Sequence, residues 1–138
     1  MRDHVYAGGC LCGAVRYQLS GPVTALCFCH CASCRRATGA PMVPWGTFAR
    51  EAVRITHGRL SEYRSSPQVW RGFCSRCGPS LSYRHEARAA EIDVTLATLD
   101  EATQLPPTMH VWVADKLPWV TMEDGLPQFP GSGTSGAS

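Results

Sequence analysis

Apolar and polar residues alternate in short runs along most of this chain, and almost nowhere do apolar residues recur at helical spacing. Ala14-Val15-Arg16-Tyr17-Gln18-Leu19 sets small or apolar residues against polar ones, the pattern of a strand buried on one face. Residues 92–97 alternate in the same way. Residues 5–7, 42–48, 52–56, 60–64, 69–73, 80–85 and 109–113 read as further strands, and residues 23–28 lead extended into a cluster of cysteines. His57-Gly58-Arg59 lies between two of these runs and signals a hairpin. Pro44 lacks an N–H, so its strand belongs at an edge or at a bulge. The one helical stretch is 32–38, which Gly39 and Pro41 stop. Residues 118–129 form the last ordered stretch. Residues 131–138 are all Gly, Ser, Thr and Ala, a flexible tail behind a domain of residues 1–130. The pattern predicts a mainly β domain of two antiparallel sheets with one short helix. It does not name the topology.

Composition narrows the class. A chain of 138 residues with 44% hydrophobic and 17% charged residues makes one globular domain with a modest core. No apolar run reaches the roughly twenty residues that cross a bilayer. The start, Met1-Arg2-Asp3-His4-Val5, has no signal-like apolar stretch, which points to the cytoplasm. A net charge of +2 without Lys or Arg runs gives no reason to expect nucleic acid. In a reducing compartment, eight cysteines read as metal ligands rather than a disulfide framework.

Their spacing divides them. Cys29-His30-Cys31-Ala32-Ser33-Cys34 places three thiols on one turn of chain, within reach of one ion. Zinc is the natural guest, because thiolates hold it tetrahedrally at about 2.3 Å. Three protein ligands leave one position open, which distinguishes a catalytic zinc from a structural one. Cys10-x-Cys12 and, about sixty residues later, Cys74-x-x-Cys77-Gly78 supply four thiolates for a closed structural zinc. The glycines beside these knuckles let the backbone fold closely around a ligand. Cys27 is left over, either a fourth ligand of the central site or a small buried hydrophobe on the strand leading to it.

With these residues in view, the chain resembles the glutathione-dependent formaldehyde-activating enzyme family, also called the centromere-protein-V-like domain. The matching stretches are GGCLCGAVRY, CHCASCRRATGAP, FCSRCG with the following LSYR, and MHVWVADKLPWV with DGLPQF. The resemblance implies a Mss4-like fold of packed antiparallel sheets (a β-tent) with two zincs per chain. Carried over by position, Cys10, Cys12, Cys74 and Cys77 bind the structural ion, and Cys29, Cys31 and Cys34 the catalytic one. Cys27 lies outside this seven-cysteine pattern, and Pro79 stands where the family usually has a small hydroxyl residue.

The resemblance also implies a carbon–sulfur lyase, in which glutathione adds reversibly to formaldehyde. A free thiol near pKa 8.5 is only partly ionised at neutral pH, and coordination to zinc deprotonates it. An ion already holding three thiolates is a poor Lewis acid for a carbonyl, so the zinc is expected to activate the thiol. His30, inside the cluster, has three readings: proton carrier, ligand, or hydrogen-bond partner of the knuckle backbone. Arg35 and Arg36 can meet the carboxylates of an anionic tripeptide or simply be solvated. Trp45 and His110 are the residues expected at the pocket border. Two other classes fit the cysteines: a zinc-stabilised binding module whose central ion is closed by Cys27 or His30, and a thiol redox switch.

Overall fold

A computed structural model describes residues 4–133. Among these residues ten strands form two sheets. β1 (Val5–Gly9), β2 (Arg16–Ser20) and β5 (Val53–His57) make a small antiparallel sheet in the order β1-β2-β5. The large sheet contains β3 (Ala25–Cys29), β4 (Val43–Ala49), β6 (Ser61–Ser66), β7 (Val69–Phe73), β8 (Ser80–His85), β9 (Glu91–Thr95) and β10 (His110–Val111). Its order is β10-β3-β4-β9-β8-β7-β6, antiparallel except where β10 joins β3. Among the described residues one α-helix forms, α1 (Ala32–Thr38), just after β3.

The hairpin expected at His57-Gly58-Arg59 does not form. The turn is there, but β5 pairs with β2 and β6 pairs with β7, so the chain passes from one sheet to the other. Gly58 permits the crossing, since a Cβ there would lie 1.8 Å from the Ala14 carbonyl oxygen. Pro44 sits in an interior strand, yet pairing of β4 with β9 begins only at Trp45. The missing N–H therefore falls where the β9 side of β4 has no partner. The strand expected over 109–113 is cut to His110–Val111, because Trp112 turns into the left-handed region (φ 57°) and a 3₁₀ turn follows. The stretch 118–129 has no regular element but is pinned at its end, where the Phe129 N–H donates to the His110 carbonyl at 2.9 Å. Of the tail, residues 134–138 lie outside the described residues, and the Gly131 carbonyl accepts from the Trp112 N–H at 2.8 Å.

Strand alternation gives the large sheet two unlike faces. On β4, Phe48 is fully buried in the core with Tyr17 and Leu19 of β2 and Val94 of β9, while Trp45 belongs to a second cluster with Cys29, Cys34, Val43 and Val111. One face thus packs on the small sheet and the other is left for a site. On β8, Leu81 and Tyr83 would share a face by alternation, but a bulge opposite Gly72 and Phe73 breaks the register. Leu81 turns to the core and Tyr83 to the second cluster.

Truncation should distinguish the core from the rim. Leu19→Ala empties a fully buried site and should cost about 2–5 kcal/mol. Ile55→Ala, on a side chain 38% exposed, should stay within about 0.5 kcal/mol. Urea unfolding of both variants is the check, and equal losses would mean the core does not lie between the sheets.

Candidate metal centres and the cavity beside one of them

The turn after β1 and the turn between β7 and β8 bring four sulfurs together. Those of Cys10, Cys12, Cys74 and Cys77 all lie within 4.8 Å of one another. Cys10 and Cys12 are 3.7 Å apart, and Cys12 and Cys74 are 3.9 Å apart. Tetrahedral thiolates at the usual bond length have edges of about 3.8 Å, so the donor set fits a zinc-sized ion. Each knuckle closes on itself: the Gly13 N–H donates to the Cys10 carbonyl at 3.2 Å, and that of Gly78 to the Cys74 carbonyl at 2.8 Å. Both glycines have positive φ, 79° and 96°, which side-chain-bearing residues rarely adopt. Backbone N–H groups also point at sulfur, Val15 to Cys10 at 3.2 Å and Cys12 to Cys77 at 3.3 Å. Burial opposes ionisation of Cys10, but the Val15 N–H and the neighbouring thiols outweigh it and bring that thiol down to about 6.

The second group is Cys29, Cys31 and Cys34, whose sulfurs also lie within 4.8 Å of one another. Cys29 ends β3, Cys31 caps α1 and Cys34 lies one turn into it. The Cys31 sulfur accepts the Cys34 N–H at 3.3 Å, and the Gly39 N–H closes the helix on the Arg35 carbonyl at 2.7 Å. One short element thus presents two sulfurs beside a strand end. Hydrogen bonds from Cys29 and Cys34 hold the Cys31 thiol down to about 2, and the same sharing pushes Cys29 far up. A thiolate flanked by thiols is a donor set suited to a soft cation.

The two groups differ in what lies beside them. The three-sulfur group lines a cavity of about 400 Å³, while none of the four sulfurs of the first group touches it. The cavity covers the free face of the large sheet. Its walls include Cys27, Trp45, Val69, Arg71, Tyr83 and Asp93 from the strands, with Ala32, Ser33 and Cys34 from α1. Trp112, Asp115 and Ser132 close one side. Trp45 and Tyr83 lean on each other, with ring centroids 6.0 Å apart. Asp93 accepts from the Thr47 hydroxyl at 2.6 Å, and burial pushes its carboxyl up.

The other candidates separate. Trp45 lines the cavity, but His110 does not; Val111, its neighbour on β10, does. His30 is likewise turned away from the sulfurs. The two histidines are fully buried on the opposite side, His30 Nε2 lying 2.9 Å from His110 Nδ1, and His110 Nε2 2.7 Å from Asp124 Oδ2. Phe28 stacks on His110 at 5.0 Å, as alternation with the cavity-lining Cys27 and Cys29 requires. Arg35 turns its Nε back to the His30 carbonyl at 3.3 Å, Arg36 is exposed, and neither lines the cavity. The arginines that do are Arg71 and Arg88, supplied by residues far from the cysteine motif. Cys27 lines the cavity without joining the three sulfurs, and burial pushes its thiol up to about 12. No local motif marks Arg71 or Tyr83; they face each other across β7 and β8, which only strand register reveals.

Comparison with known proteins bears on the fold and the family. A crystal structure of a Rhodobacter sphaeroides protein has a similar fold, with a TM-score of 0.57, 22% identity, and coverage of 89% of this chain and 98% of that one. A Schizosaccharomyces pombe protein described as an uncharacterized lyase is 29% identical over 80 residues. That match takes in 58% of this chain, which spans 58% of the length of that relative. No helix among the described residues is long and apolar enough to cross a membrane. Residues 5–115 match the family of the glutathione-dependent formaldehyde-activating enzyme, and the chain belongs to that family.

Proposed function

We propose that this chain is a cytoplasmic carbon–sulfur lyase that adds a small thiol, glutathione or a close analogue, reversibly to formaldehyde or another small electrophile. One observation carries the reading: of two metal-competent sulfur groups, only the three-sulfur group opens onto a cavity large enough for a thiol and its partner. In this reading Cys10, Cys12, Cys74 and Cys77 hold a structural zinc, and Cys29, Cys31 and Cys34 hold a second. Zinc at the second site supplies acidification of a thiol at neutral pH. The remaining work belongs to the chain. Trp45, Tyr83 and Trp112 bound the space in which the reacting pair would meet. Cys29, Cys31 and Cys34 fix where the incoming sulfur sits against that space. In the forward direction the S–C bond forms as the carbonyl π bond breaks, and the proton lost by the thiol ends on the carbonyl oxygen. The reverse direction returns both. Family membership and the lyase description of the Schizosaccharomyces pombe relative support the reaction class. Thiolate ligands also suit a reducing compartment.

Exchange NMR on thiol–aldehyde pairs at equilibrium tests the reaction, since the protein should speed interconversion above the spontaneous rate. The two sites should respond differently to loss of a ligand. A closed structural zinc contributes apparent binding energies of about 10–16 kcal/mol in small zinc peptides. Domains of this size have about 5–15 kcal/mol of total stability. Cys74→Ser should therefore unfold or aggregate the protein. Cys31→Ser should stay folded with one tightly held zinc and no exchange activity. Melting temperature and zinc content report both, and equal damage to the fold, or no pair accelerated by the wild type, would favour a non-catalytic zinc module.

A second test concerns Cys27. A thiol held at about 12 leaves about one part in ten thousand as thiolate at pH 8, so native protein should resist alkylation there. Cys27→Ala should keep two zincs and most of the activity. Loss of one zinc in that variant would make Cys27 a ligand.

A further inference from the structure

Arg71 is charged, 7% exposed, and placed on the cavity wall without a carboxylate partner among the described residues. Its Nη1 donates to the Cys34 sulfur at 3.6 Å and its Nε to the Ser65 hydroxyl at 3.2 Å. Its Cζ lies 5.0 Å over the Tyr83 ring. By contrast Arg88, on the same cavity, is neutralised by Glu91 at 3.3 Å and Asp93 at 3.5 Å. A buried cation without a counter-ion is strongly disfavoured, so something must offset the charge of Arg71. The nearest group able to do so is the three-sulfur cluster.

We propose that Arg71 is the positioning residue of the three-sulfur centre, donating to the Cys34 thiolate and balancing the charge of the site when a further anionic sulfur enters. This rests on the reading that Cys29, Cys31 and Cys34 hold a metal ion. Three thiolates around a dication leave one excess negative charge, and a fourth from substrate leaves two. A guanidinium against one ligand removes one of these without occupying a coordination position. A hydrogen bond to a ligand sulfur also withdraws electron density from it, a common outer-shell means of tuning a metal site. Tyr83 and Ser65 hold the guanidinium plane, Tyr83 facing Arg71 directly across the strands. The four-sulfur centre takes hydrogen bonds to sulfur from the backbone N–H groups of Val15 and Cys12, whereas the three-sulfur centre takes one from a guanidinium.

Cobalt(II) in place of zinc makes the sulfurs visible through their charge-transfer absorption. Protein produced in cobalt-supplemented medium should carry two cobalt ions per chain. In Arg71→Met, the central sulfurs lose their donor, so part of that absorption should move to lower energy. The central ion should also be lost to a competing chelator at about one-tenth the wild-type concentration, the usual scale of outer-shell effects. Arg71→Lys keeps a charge but lacks the planar fork, so it should stay folded and shift the band in the same direction by less. Unchanged spectra and chelator competition in Arg71→Lys, and in Arg71→Met where it folds, would overturn the proposal. A wild-type protein holding a single cobalt would instead sink the metal reading of the central cluster, and this proposal with it.

Discussion

Four sulfurs from two turns, separated by 62 residues between Cys12 and Cys74, meet within 4.8 Å of one another, and the rest of the architecture depends on that meeting. Cys10 and Cys12 belong to the small sheet, at the turn joining β1 to β2. Cys74 and Cys77 belong to the large sheet, at the turn joining β7 to β8. The apolar core between the sheets is small, with few large side chains fully buried. In the proposed reading an ion held by the four sulfurs cross-links the sheets there and fixes the relative placement that such a core defines weakly on its own. Because β7 runs straight into Cys74, the same anchor sets where Arg71, three residues earlier, stands against the other cluster.

The large sheet turns this anchored frame into a site by alternation. Even-numbered residues of β3 and β4, such as Leu26 and Phe48, face the core, while Cys27, Cys29, Trp45 and Thr47 face the cavity. The same parity places His30 and His110 on the far side, where with Asp124 they hold the final stretch of chain against β3 and β10. Helix α1 is too short to bury much and, with its cap, mainly carries two of the three clustered sulfurs. Its docked face carries Cys34, and the next two positions rotate Arg35 and Arg36 away from the cavity. At the mouth, Trp112 holds a left-handed backbone that costs about 1–2 kcal/mol for an L-residue. Hydrogen bonds to Gly131 and Asp115 keep it there, and the indole closes the cavity wall.

The grouping of seven thiols was legible in part from spacing, because short separations keep Cys29, Cys31 and Cys34 together. The meeting of Cys10 and Cys12 with Cys74 and Cys77, across the 62 residues between Cys12 and Cys74, was read from their making a set of four. Most strands and α1 were legible because alternation and stop residues act locally. What escaped depends on pairing between distant strands. The turn at Gly58 was readable, but whether β5 and β6 pair is decided by which sheet can bury Val53 and which can extend β7. Arg35 and Arg36 were attractive because they follow the motif, whereas Arg71 reaches the sulfurs through sheet order alone. His110 and Val111 are neighbours in sequence and opposites in the sheet, and register to β3 makes Val111 the cavity residue.

The central claim is that one centre is closed by four chain sulfurs and the other is held by three and accepts a fourth from substrate. X-ray absorption at the zinc edge averages the two environments in the intact protein. The account predicts about 3.5 sulfur neighbours per zinc at about 2.3 Å, rising to about four when glutathione or the productive thiol is added. Four sulfurs per zinc before any thiol is present, unchanged on its addition, would contradict it.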